Sequence, residues 1–77
     1  MPDQPDWTIT LDVGEAGGST RAQVRLGTAG GARYEGIGVV AAPAHADAAE
    51  LAVVRALSDL IEEILEAVAS DIESQAE

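Results

Sequence analysis

The stretch from Asp47 to about Glu73 constrains this chain more than any other part of it. At about 100° per residue, Val53, Val54, Leu57, Leu60, Ile61, Ile64, Leu65, Val68 and Ile72 share an arc of roughly 140°. Arg55, Asp59, Glu62, Glu63, Glu66 and Glu73 occupy the opposite side. The pattern predicts a single amphipathic helix over Ala48–Glu73, roughly 40 Å long at 1.5 Å per residue. Asp47 is placed to cap its first amides and Glu50 to reach back, as in a capping box. Pro43 stands just outside.

Upstream the period changes from helical to strand-like. Trp7, Ile9, Leu11 and Val13 alternate with Thr8, Thr10 and Asp12, the pattern of a half-buried strand over Trp7–Val13. In Thr20–Leu26, Ala22, Val24 and Leu26 alternate with Arg21, Gln23 and Arg25. Tyr34–Ala41 is apolar on both faces, with Ile37, Val39 and Ala41 on one and Tyr34, Gly36, Gly38 and Val40 on the other. Such a strand is covered on both sides or lies against a partner, and Val40 and Tyr34 offer a second contact surface. The glycine-rich loops Gly14–Ser19 and Gly27–Gly31 are of hairpin length, so consecutive strands pair antiparallel. The predicted fold class is α+β, a three-stranded antiparallel meander followed by one long helix (β-β-β-α). Residues 1–6 read as a tail, 7–74 as a single domain and 75–77 as a frayed end.

A chain of 77 residues has a thin margin of stability and commonly needs a staple or a partner. Cysteine is absent, which removes disulfides and fits a reducing, cytoplasmic setting. Neither a signal peptide nor a bilayer-spanning run is expected, so no membrane role is assigned. Fourteen acidic residues face four arginines, for a formal charge of −10. Affinity for nucleic acid comes largely from neutralising phosphates, so this balance argues against direct binding of naked RNA.

Enzyme chemistry has little to build on. His45 is the only histidine and reads as an exposed linker residue. Gly36 and Gly38 flank Ile37, but the third glycine and the strand-to-helix turn of a dinucleotide site are missing. Two glycines in a strand mark a bend or a close backbone approach. No catalytic residue, metal site or cofactor is assigned, and the chain is read as non-enzymatic.

Three segments carry a family resemblance: Trp7-Thr-Ile, Thr20-Arg-Ala with Arg25-Leu26, and Arg55-Ala-Leu-Ser-Asp-Leu60 preceded by Glu50-Leu51. Gly36-Ile-Gly38 fits as well. Together they resemble small actinobacterial proteins of unknown function with a dsRBD-like fold, some of them associated with stress and dormancy. That topology is similar to part of the ribosome hibernation promoting factors, here without the first helix. The resemblance implies a homodimer and a ribosome-related role. It departs from an RNA-binding member at the start of the last helix, where lysines would straddle phosphates and this chain has Asp47-Ala-Ala-Glu50.

The apolar stripe also outruns one small sheet, which makes Leu57, Ile61, Ile64, Leu65, Val68 and Ile72 the candidate dimer interface. Arg21, Arg25 and Arg33 on the strands, with Arg55 and Asp59 on the helix, are the candidate residues for a protein or ribosome partner. Arg55 and Asp59 also stand at the spacing of an i,i+4 ion pair. The first functional reading is a small cytoplasmic homodimer that acts by binding. The alternative is an acidic interaction module that takes a basic protein partner through its helix face.

Overall fold

A computed structural model describes residues 6–75. Three strands, β1 (Thr8–Ala16), β2 (Ser19–Gly27) and β3 (Arg33–Val40), precede one helix, α1 (Ala46–Gln75). The sheet order is β1-β2-β3 and both pairings are antiparallel. The expected α+β meander and its helix are therefore present, with each boundary within three residues of expectation. The expected tail and frayed end fall mostly outside the described residues.

The turns are tighter than their glycine content implied. Ala16 pairs with Ser19, so β1 and β2 are joined by Gly17-Gly18 alone. Both glycines have positive φ, 59° and 80°, as a two-residue hairpin turn that follows the strand twist requires. The β2–β3 loop closes on itself through Thr28 N–H to the Ala32 carbonyl (2.9 Å) and Gly31 N–H to the Thr28 carbonyl (3.0 Å).

Register decides which residues meet the helix. Ala22 pairs with Gly38, Val24 with Gly36 and Leu26 with Tyr34, and paired residues share a face. That face carries α1. Ala22, Val24, Ala52, Ala56 and Leu60 form the buried core, with Leu26, Tyr34, Val40, Val53 and Ile64 packed around it. Val40 and Tyr34 thus belong to the core and are not the second contact surface expected of them. Thr20 is fully buried, and its hydroxyl donates to the Ala42 carbonyl at 2.8 Å, tying the crossover before α1 to β2.

The helix docks through only one edge of the stripe that its sequence advertises, Val53, Leu60 and Ile64. Ala48, Ala52, Ala56 and Leu60 are its buried residues, whereas Val54, Leu57, Ile61, Leu65, Val68 and Ile72 are exposed. The reason lies in β3. A Cβ on Gly36 would stand 2.6 Å from Leu60 N and nearer still to the Ala56 carbonyl. One on Gly38 would stand 2.5 Å from Ala56 N, and nearer to the Ala52 carbonyl. The glycines let the helix backbone lie almost on the strand, and only alanines fit in that seam.

The helix therefore sits over β3 and β2. A helix is about 10 Å wide and strands are spaced about 4.8 Å, so one helix covers two strands and not three. All of β1 is exposed. Its Ile9, Leu11 and Val13 pair with Leu26, Val24 and Ala22, so they point to the helix side of the sheet and find no helix above them. The half-burial expected for this strand is absent for that reason.

The start of α1 also differs from expectation. Ala49 N–H donates to the His45 carbonyl at 2.9 Å, which begins the helix ahead of Asp47. Asp47 lies inside the first turn, where its charge favours the amino end of the helix dipole but does not cap it.

A candidate interaction surface

Two edges of the sheet are treated differently. Along β3, Ile37 N–H donates to Asp59 Oδ2 at 3.0 Å and Arg55 Nη1 donates to the Val39 carbonyl at 2.8 Å. These are the outward groups of an edge strand, which would otherwise invite another strand to pair. Arg55 and Asp59 are four apart on one flank of the helix and reach down over that edge. They bond the strand backbone, in place of the ion pair their spacing implied. Each uses one side-chain atom in its bond, Arg55 its Nη1 and Asp59 its Oδ2. Among the described residues, no side chain covers the edge of β1 in this way.

With Arg55 and Asp59 fixing one flank of α1 at β3, the other flank points toward β1. Leu57, Ile61, Leu65, Val68 and Ile72 form a band about 100–180° round the helix from Ala56, running from the β1 side to the face turned away from the sheet. Of the six expected interface residues, Ile64 alone is half-buried against the core. The flank stands beside the uncovered face of β1, where Trp7 and Ile9 are 65% and 62% exposed and Ile61 and Leu65 are 55% and 61% exposed. The result is an apolar surface with two parts: a floor of Trp7, Ile9, Leu11 and Val13, and a wall from the helix. Sequence reasoning found the wall from its period. It missed the floor, because alternation shows which face of a strand is apolar and not whether anything lies on it.

The arginines do not make a single cationic patch. Arg21, Arg25 and Arg33 all belong to the face of the sheet away from the helix, but Arg21 and Arg25 are four residues apart, about 13 Å along the strand. Arg25 stands 3.7 Å from Glu35, whose carboxylate also accepts from the Gln23 amide. Arg33 lies at the opposite end of β3 from Val39, the partner of Arg21. Ile37 and Val39 add exposed apolar groups to this outer face.

His45 is exposed in the crossover before α1. Among the described residues, no group of three or more His, Cys, Asp or Glu side chains is placed to hold a metal ion. Also among them, no helix is long and apolar enough to cross a membrane.

Against this geometry the comparisons with known proteins are short. No curated protein matches the chain. A family model, Rv2632c-like, matches residues 5–77, which takes in every strand and the helix. The chain belongs to the Rv2632c-like family, a small family of unknown function.

Proposed function

We propose that this chain is a binding protein and not an enzyme, and that it works as a homodimer. One observation carries the reading: the apolar stripe of α1 is turned away from the chain's own sheet and stands in water beside a bare apolar strand face. Exposed apolar patches of this extent mark interaction surfaces on small soluble domains. Two-fold self-association is the commonest way such chains cover them. Leu57, Ile61, Leu65, Val68 and Ile72 are the helix residues of the interface.

The surfaces left outside such a dimer are the outer sheet face and the acidic flank with Glu62, Glu66 and Glu73. The resemblance to hibernation factors supports a cytoplasmic, ribosome-related role in stress or dormancy. Contact there would be with protein, because four arginines in a chain of −10 oppose a phosphate surface. A second reading, an acidic module for a basic protein, is favoured by Glu62 and Glu66. They are like charges one turn apart, an arrangement that disfavours the isolated helix by a few tenths of a kcal/mol.

Sedimentation equilibrium at tens of micromolar tests the dimer. Twice the chain mass of 7.9 kDa is expected. A folded monomer at that concentration would overturn the reading. Co-sedimentation with purified ribosomes at about 150 mM salt tests the second half. Recovery in the ribosome pellet supports the ribosomal role, and its absence there removes it.

A further inference from the structure

We infer that the dimer is built by reciprocal seating: the apolar flank of each α1 lies on the bare β1 face of the other chain. This rests on the homodimer reading and specifies what that dimer buries. The two unpartnered surfaces are complementary in kind. β1 offers a sheet face without a helix, and α1 offers a helix flank without a sheet. One second copy supplies both missing pieces through a single two-fold axis.

The dimensions agree. α1 sits over β2 and β3, so β1 lies about 7 Å to the side of the helix axis at ordinary strand spacing. Neighbouring helices pack about 8–10 Å apart. A second helix laid alongside the first at that distance lands on β1. The two helices then run side by side between two sheets, each sheet covering its own helix with β2 and β3 and its partner's with β1.

The area is sufficient. The floor residues and Leu57, Ile61, Leu65 and Val68 are roughly half exposed. With about 150–250 Å² for the indole and roughly 60–120 Å² for each aliphatic side chain, they leave on the order of 400–500 Å² of apolar surface per chain. A standard interface uses about 800 Å² per partner, somewhat more than half of it apolar. The charge distribution also permits it. Asp59, Glu62, Glu66 and Glu73 lie on the β3 side of α1, the far side from the proposed contact, and Asp71 is the helix acid on the other flank, three residues past Val68. Asp12 belongs to the other face of β1, and the one carboxylate on the floor's face, Glu15, stands at its end beyond Val13, next to the hairpin turn. Two chains of −10 can therefore meet here with their acids in solvent, screened over about 8–10 Å.

Charge complementation tests this seating against a dimer in which floor meets floor and helix meets helix. Leu11→Glu places a carboxylate in the floor, and Ile61→Lys places an ammonium in the wall. Both positions are exposed in the single chain, at 48% and 55%, so each variant is expected to fold. Alone, each should weaken the dimer by about 100-fold or more, because a charge is buried without a partner. Mixed in equal amounts, they should recover dimer. One contact then pairs the introduced carboxylate of one chain with the introduced ammonium of the other, and the second contact is the unaltered Leu11 against Ile61. In a like-with-like dimer each single variant sets the new charge against its own copy; mixing relieves that repulsion but leaves each charge against an apolar residue, so affinity stays far below that of the wild type. Should either variant lack a helical spectrum, Ile9→Glu with Leu65→Lys repeats the test at exposed positions. Recovery on mixing supports the seating. A wild-type dimer without recovery, or single variants that stay dimeric, overturns it while the homodimer stands. A monomeric wild type overturns both.

Discussion

Replacing Gly36 with alanine should destabilise this protein, although alanine is ordinarily the better residue in a strand. Gly→Ala at a compatible site stabilises by about 0.4–1 kcal/mol, because the unfolded chain loses freedom. At Gly36 the new methyl would meet Leu60 N at 2.6 Å and Leu60 Cβ at 2.9 Å, with the Ala56 carbonyl closer still. Ordinary contact needs about 3.5–4.0 Å, so the helix must withdraw by about 1 Å or more. Most of the opposing atoms are backbone, which no change of rotamer can move aside. Overpacking costs about 1–3 kcal/mol; a clash with backbone belongs at the upper end, so after the gain is subtracted a net loss of about 2 kcal/mol remains. A domain of this length has roughly 4–12 kcal/mol in all. Thermal unfolding followed by helical ellipticity should show Tm lowered by about 8–16 °C. Gly14→Ala in β1 is the control, since nothing lies within 4 Å of its added Cβ, and it should leave Tm level or slightly higher. A Gly36→Ala protein that melts with the Gly14→Ala protein would refute the glycine–alanine seam.

Three further outcomes follow from the same geometry. Thr20→Val removes the hydroxyl that donates to the Ala42 carbonyl and should cost about 1–2 kcal/mol, read as a lower urea midpoint with unchanged slope. Arg55→Ala with Asp59→Ala uncovers the edge of β3; stability should fall by less than about 1 kcal/mol while light scattering on prolonged incubation rises. Titration with double-stranded RNA at about 150 mM salt should give no micromolar complex; one that weakens steeply with added salt would contradict the charge argument and point to Arg21, Arg25 and Arg33.

Much of the fold was legible because two periods are written cleanly in the chain. Alternation in Trp7–Val13 and Thr20–Leu26 locates β1 and β2, a 3.6-residue repeat after Asp47 locates α1, and the apolar run Tyr34–Ala41 locates β3. The docking face of the helix was not legible in the same way. The apolar stripe marked which side of α1 is hydrophobic, with Leu57, Ile61 and Leu65 assigned to a dimer contact, but it did not show that the residues against the sheet would be Ala48, Ala52 and Ala56. The signal was present in Gly36 and Gly38, whose spacing matches a strand face and whose missing side chains call for small residues opposite. Read together with the alanines four apart in α1, they point to the seam. Arg55 and Asp59 were singled out as oddities of charge, and their role is to cover the β3 edge. That role depends on which side of the helix overhangs the sheet, which only the docking settles. Ile64 carries a related lesson: Ile64→Asp would strike the core as well as the interface, so Ile61 is the cleaner probe.

The central claim is that a second copy of the chain covers the apolar surface shared by β1 and α1. Trp7 is the only tryptophan and stands 65% exposed in the single chain, at one end of that surface. Its emission, followed through a dilution series from tens of micromolar downward, reports the claim most directly. Blue-shifted emission is expected at high concentration, moving to that of a water-exposed indole on dilution, with a midpoint equal to the dissociation constant from sedimentation. Water-exposed emission at every concentration, in a sample that sediments as a folded monomer throughout, would contradict it.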